Sequence, residues 1–101
     1  MAATEFVTLS AAKRALGTDG VQWVDYHAEA KRGTNSIDWA VIQQHADGTY
    51  DGSRLYHTTA KTGDASLTIQ IGETVTAFVV ELLGGGYAGQ QPISNPVSVT
   101  G

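Results

Sequence analysis

The chain reads as an all-β protein, an antiparallel sandwich of about seven strands, and three observations carry that reading. Runs rich in Val, Ile, Thr and Tyr recur at short, regular spacing. Clusters of Gly, Asp and Asn, the residues that make turns, separate them. Sustained helical periodicity is absent, so there is no room for the crossover helices a parallel sheet needs. Seven short strands are the amount of sheet that two layers packed face to face require. At 101 residues the chain, 1–101, is one domain, too short for two independent cores.

Taken in order, Thr4 to Leu9 alternates and predicts a first strand. Ser10 to Leu16 either continues it or makes one helical turn, because Ser10 can cap and Ala11 to Ala15 favour helix. Residues 1–16 are therefore either an N-terminal arm or the start of the sheet. After the turn Gly17-Thr18-Asp19-Gly20, the segment Val21 to Lys31 separates by parity, since successive strand side chains point to opposite faces. Val24, Tyr26, Ala28 and Ala30 share one face, while Trp23, Asp25, His27 and Glu29 share the other. Burying the first set forces Trp23 outward among polar groups. Ser36 to Gln44, beyond the turn Arg32-Gly33-Thr34-Asn35, sorts Ile37, Trp39 and Val41 inward against Asp38, Ala40, Ile42 and Gln44.

His45 to Gly52 carries two Asp-Gly steps, which tolerate the positive φ of tight hairpins, and predicts a hairpin or folded loop. Arg54 to Ala60 is the next strand and Lys61 to Asp64 a turn. Ser66 to Ile71 follows as a strand with Leu67, Ile69 and Ile71 inward. Glu73 to Leu83 is apolar on both parities, as a central strand should be. Gly84 to Gly89 forms a tip, and Pro92 to Thr100 a closing strand with Pro96 at an edge or bulge.

The charge balance is six Lys and Arg against ten Asp and Glu, in no blocks, which leaves no basic stripe for nucleic acid or anionic membrane. The longest apolar run, Val75 to Leu83, is interrupted by Glu81 and falls short of the roughly 20 residues a membrane span needs. With no cysteine, disulfides, zinc-thiolate sites and thiol catalysis are excluded. The opening Met1 to Glu5 does not show a signal-peptide pattern.

Chemistry-bearing patterns are few. No G-x-S-x-G occurs, and His27, His45 and His57 are too widely spaced for local metal pairs. Asp47 and Asp51 could act as paired carboxylates or hold calcium, yet turn chemistry accounts for both. No catalytic residue, metal site or cofactor is expected. The row Trp23, Asp25, His27, Glu29 is the informative feature: a flat ring flanked by hydrogen-bonding groups is what a sugar needs. The alternative is that Trp23 packs under a loop or in an oligomer interface. A secondary set, Tyr50, Tyr56, His57 and Tyr87 with Arg54, is expected at one end of the sandwich, with the core as the alternative place for Tyr56.

The ending Ser94-Asn95-Pro96-Val97-Ser98-Val99-Thr100 resembles the last strand of fibronectin type III-like and immunoglobulin-like modules. Val21 to His27, then Tyr50 and Gly63-Asp64, is similar to the opening strands of small β-glucan-binding modules attached to polysaccharide hydrolases. More distantly, Val24-Asp25-Tyr26, Arg32-Gly33-Thr34, Ile37-Asp38 and Phe78-Val79-Val80 resemble fungal immunomodulatory proteins, lectin-like sandwiches with an N-terminal dimerising arm. Both similarities imply a non-catalytic binding sandwich, with the second implying a homo-oligomer. The expected function is recognition of a polysaccharide through Trp23, Asp25 and His27, with Tyr50, Tyr56, Tyr87 and Arg54 as the secondary set, in a secreted or extracellular setting. The competing expectation is a structural or protein-interaction module without a sugar ligand.

Overall fold

Alternation becomes structure most directly where two neighbours can pair with one strand. A computed structural model describes residues 7–31, 39–59, 61–82 and 92–101, with backbone alone at 57–59. It contains β1 (Val7–Lys13), β2 (Gln22–Ala30), β3 (Trp39–Gln44), β4 (Tyr50–Arg54), β5 (Tyr56–Thr59), β6 (Thr62–Ile69), β7 (Thr74–Glu81) and β8 (Val97–Thr100). Sheet A has the order β1-β2-β6-β5 and sheet B the order β4-β3-β7-β8, with every neighbouring pair antiparallel. This is the all-β sandwich the sequence predicts. Its strand order is that of an immunoglobulin-type sandwich with one extra strand, β4, beside the third.

The core lies between the sheets. β2 contributes Val24, Tyr26, Ala28 and Ala30, and β3 contributes Trp39 and Val41. Val75, Ala77 and Val79 of β7 close it from sheet B. Trp39 is fully buried, so the two tryptophans divide as their parities require.

Of the two readings open after Leu9, the chain takes the strand, through Lys13, because pairing Ser10 with His27 and Ala12 with Asp25 satisfies its backbone. Several elements differ from the sequence expectation. The hairpin bends only at the first Asp-Gly step, where Gly48 takes φ +89°. Asp51-Gly52 instead lies inside β4, opposite Gln43 and Ile42, which adds a strand. The run Arg54 to Ala60 is broken at Leu55. That side chain drops into the core and its N–H donates to the Trp39 carbonyl, so the chain leaves sheet B and joins sheet A. β6 begins earlier than expected, at Thr62, and Gly63 is paired on both sides, with Ala28 and His57.

Ile71 is 60% exposed where an inward position was expected, because β6 ends at Ile69 and Ile71 sits in a turn closed by the Glu73 N–H on the Gln70 carbonyl. Ala40 and Ile42 do face away from the core, yet both are buried, in a second cluster with Val80 that packs against Phe78 and Leu82 on the outer face of sheet B. β7 is central, between β3 and β8, as its apolar composition predicts. Of the closing segment, Val97–Thr100 is strand and the exposed Pro96 directly precedes it. The expected turn at 32–35 and tip at 84–89 lie outside the described residues.

Candidate functional site

The outer face of sheet A is built from facing positions on four strands. Antiparallel partners share a face, so register alone lays out its rungs. Arg14, just past β1, approaches Trp23, which faces Thr68. Next come Ala12, Asp25 and Ser66, then Ser10, His27, Asp64 and Tyr56. Trp23 is 38% exposed and Tyr26 beside it is 1% exposed, so the indole faces outward while the phenol is in the core.

Arg14 organises the first half of this face. Its guanidinium lies 5.4 Å from the centroid of the Trp23 ring, a cation–π arrangement. It also donates from Nε to Asp25 Oδ2 at 2.9 Å and from Nη2 to Asp25 Oδ1 at 2.7 Å. The Ser66 hydroxyl adds a 2.6 Å bond to Asp25 Oδ1. These bonds, the Arg14 contact first and the Ser66 contact second, hold the Asp25 carboxyl down at about 2. Asp25 is thereby nearly saturated as an acceptor, and its work is to hold Arg14 against the indole. Buried Gln22 fixes the backbone beneath: its side-chain amide donates to the Arg14 carbonyl at 2.7 Å and the Trp23 carbonyl at 3.0 Å.

The second half centres on His27. Its Nδ1 lies 2.7 Å from Asp64 Oδ1, and Nε2 is 3.9 Å from Glu29 Oε2. With Nδ1 engaged by Asp64, Nε2 is the ring nitrogen left at the surface. Tyr56, opposite Asp64 on β5, is 75% exposed.

The secondary set does not assemble as expected. Tyr50 and Arg54 stand on the outer face of sheet B, opposite Gln44 and Ala40, whereas Tyr56 stands on sheet A. The strand switch at Leu55 separates them. Tyr87 lies outside the described residues, as does the side chain of His57. Three residues that sequence reasoning did not select, Arg14, Ser66 and Asp64, belong to the face. Parity within one strand finds Trp23, but its partners come from the register with two others.

A separate polar network crosses the core towards the β3–β4 hairpin. Tyr26 donates to Gln43 Oε1 at 2.6 Å, and Gln43 Nε2 donates to the Thr68 carbonyl at 3.0 Å. His45 lies between two carboxylates, with Nδ1 2.5 Å from Glu73 Oε2 and Nε2 2.8 Å from Asp51 Oδ1. The Glu73 bond above all, with Asp51 assisting, raises the His45 pKa against the opposing effect of desolvation. An open concavity of about 870 Å³ lies beside this network, lined in part by His45, Asp47, Asp51 and Glu73. Asp47 caps its own turn, accepting from the Thr49 N–H at 3.0 Å and its hydroxyl at 2.6 Å. Among the described residues, no group of three His, Asp or Glu side chains is placed to hold a metal ion.

No protein-family model, no curated protein and no solved structure matches the chain.

Proposed function

We propose that the outer face of sheet A binds carbohydrate without chemistry, with the Trp23 indole as the stacking platform. The observation that supports this most is the presentation of that ring. An interior strand, held on both sides by β1 and β6, offers an indole to solvent beside a row of fixed donors and acceptors. A guanidinium clamp that keeps an aromatic ring in one orientation reduces the side-chain entropy lost when a ligand stacks on it. Sugar C–H groups meet the ring, while His27 Nε2, Asp64 and the Arg14 guanidinium serve the hydroxyls. Asp25 acts through Arg14 and does not itself reach the sugar. Such contacts are individually weak, so firm attachment to a polymer comes from repeated engagement by an oligomer or tandem copies. We place this activity outside the cell, where polysaccharide is the bulk ligand.

The test is a fluorescence titration with soluble polysaccharides, joined to co-sedimentation with insoluble ones. Because Trp39 is fully buried, a ligand-induced change reports Trp23. Binding that Trp23→Ala abolishes supports the reading. An unchanged spectrum across neutral glucans, xylans and mannans refutes it and favours the protein-interaction alternative, in which a neighbour covers the indole. Reducing ends released in the same tubes would reveal an enzyme instead.

A further inference from the structure

Tyr56 changes what kind of carbohydrate this face suits. It shares the face with Trp23 but stands two rungs along the strands and two strands across, on β5. Strand rise and spacing put the two rings about 16 Å apart, from about 13 Å along the strands and about 10 Å between them. The diagonal joining them passes over Ser66 and beside Asp64 and His27, which are hydrogen-bonding groups. Its midpoint is the Asp25–Ser66 rung, where Arg14 Nη2 donates to the Ser66 hydroxyl at 3.1 Å, so a chain on that diagonal crosses the guanidinium on its way to Tyr56.

We infer that the ligand is an extended, uncharged polysaccharide chain lying obliquely across sheet A, with one segment stacked on Trp23 and another on Tyr56. This rests on the carbohydrate reading above and specifies its ligand class. Two exposed rings at opposite ends of a polar strip suit a ribbon of repeating units; a single terminal sugar reaches one of them. Charge narrows the class further. Among the described residues, Asp25, Glu29 and Asp64 place three carboxylates on the face against the Arg14 guanidinium and the Lys31 ammonium beside Glu29, and this slight excess of negative charge disfavours uronic-acid or sulfated chains. The second ring adds its contact without a second loss of translational freedom, so it appears as a dependence of affinity on chain length.

The experiment is a length series of neutral linear oligosaccharides, from dimer to hexamer, drawn from β-linked glucan, xylan and mannan and titrated against the full chain by Trp23 fluorescence. Affinity is expected to rise about tenfold once the oligomer spans both rings, the worth of one well-placed aromatic contact. Tyr56→Ala, at a solvent-exposed position, should keep the dimer's affinity and lose the rise. Equal affinity at every length, or a rise that survives Tyr56→Ala, overturns the extended-chain inference while leaving Trp23 binding intact. Tighter binding of carboxymethylated or sulfated glucan overturns the uncharged class. Failure of every oligomer and polymer to perturb Trp23 overturns both this inference and the reading beneath it.

Discussion

Replacing Tyr26 by Phe removes one oxygen atom from the centre of the sandwich, and the structure sets what that should cost. The hydroxyl donates at 2.6 Å to Gln43 Oε1, and both residues are buried. Gln43 belongs to sheet B, while Tyr26 and its other partner, the Thr68 carbonyl, belong to sheet A, so this amide stitches the layers together. After the substitution the ring still fills its site, but the Gln43 oxygen is left in the core without its donor. An unsatisfied buried acceptor costs about 1–3 kcal/mol. At ~2 kcal/mol, a domain of this size loses roughly 8–16 °C in Tm. Urea unfolding followed by Trp39 fluorescence measures it, and Gln43→Leu with the double variant completes a cycle. The double variant should cost less than the sum of the singles by about 1 kcal/mol, because the hydroxyl and its acceptor then leave together. A Tyr26→Phe protein within ~0.5 kcal/mol of the parent, or singles that simply add, would refute the idea that this bond joins the sheets.

Further expectations follow from individual groups. Tyr26 is held neutral mainly by burial, its pKa raised above the usual phenol range, so stability should decline as pH rises past about 10, where the unfolded phenol ionises. Tyr26→Phe should remove that component of an alkaline titration. His45 has a raised pKa because of Glu73 first and Asp51 second; its contribution is complete below about 6.5 and is lost as pH climbs through the folded value. Stability measured from pH 6 to 9 should therefore fall, and His45→Gln should flatten that slope. Arg14→Ala should return the Asp25 titration, followed by NMR, from about 2 towards 3.8 and shift Trp23 emission. Gly48→Ala should cost about 1 kcal/mol in thermal unfolding, since φ +89° strains any side chain there.

Much of the architecture was legible because strand parity is a local property. The alternation from Val24 to Ala30 assigns each residue to a face without knowledge of its neighbours, and the burial pattern of β2 follows it. Asp47-Gly48 announces its turn equally locally. The expectations that failed depend on competition between distant segments. Whether Asp51-Gly52 bends or pairs is settled by the presence of Gln43 and Ile42 across from it. Leu55 breaks a run that looks continuous because the core has a place for it beside Trp39, and no neighbour in sequence reports that place. Ile71 carries the right parity for burial, but the sheet has already ended.

The same division runs through the candidate site. An outward Trp23 and an inward Tyr26 were consequences of a period of two, readable from a few adjacent letters. That Arg14 would hold the indole, that Asp25 would be spent on Arg14, and that Tyr56 would share the face while Tyr50 went to the opposite sheet all came from register and from one strand crossing between layers. Side-chain direction is set by each residue's own backbone, whereas companionship across a sheet is set by which strands pair and at what offset, and those choices are made by the packed core as a whole.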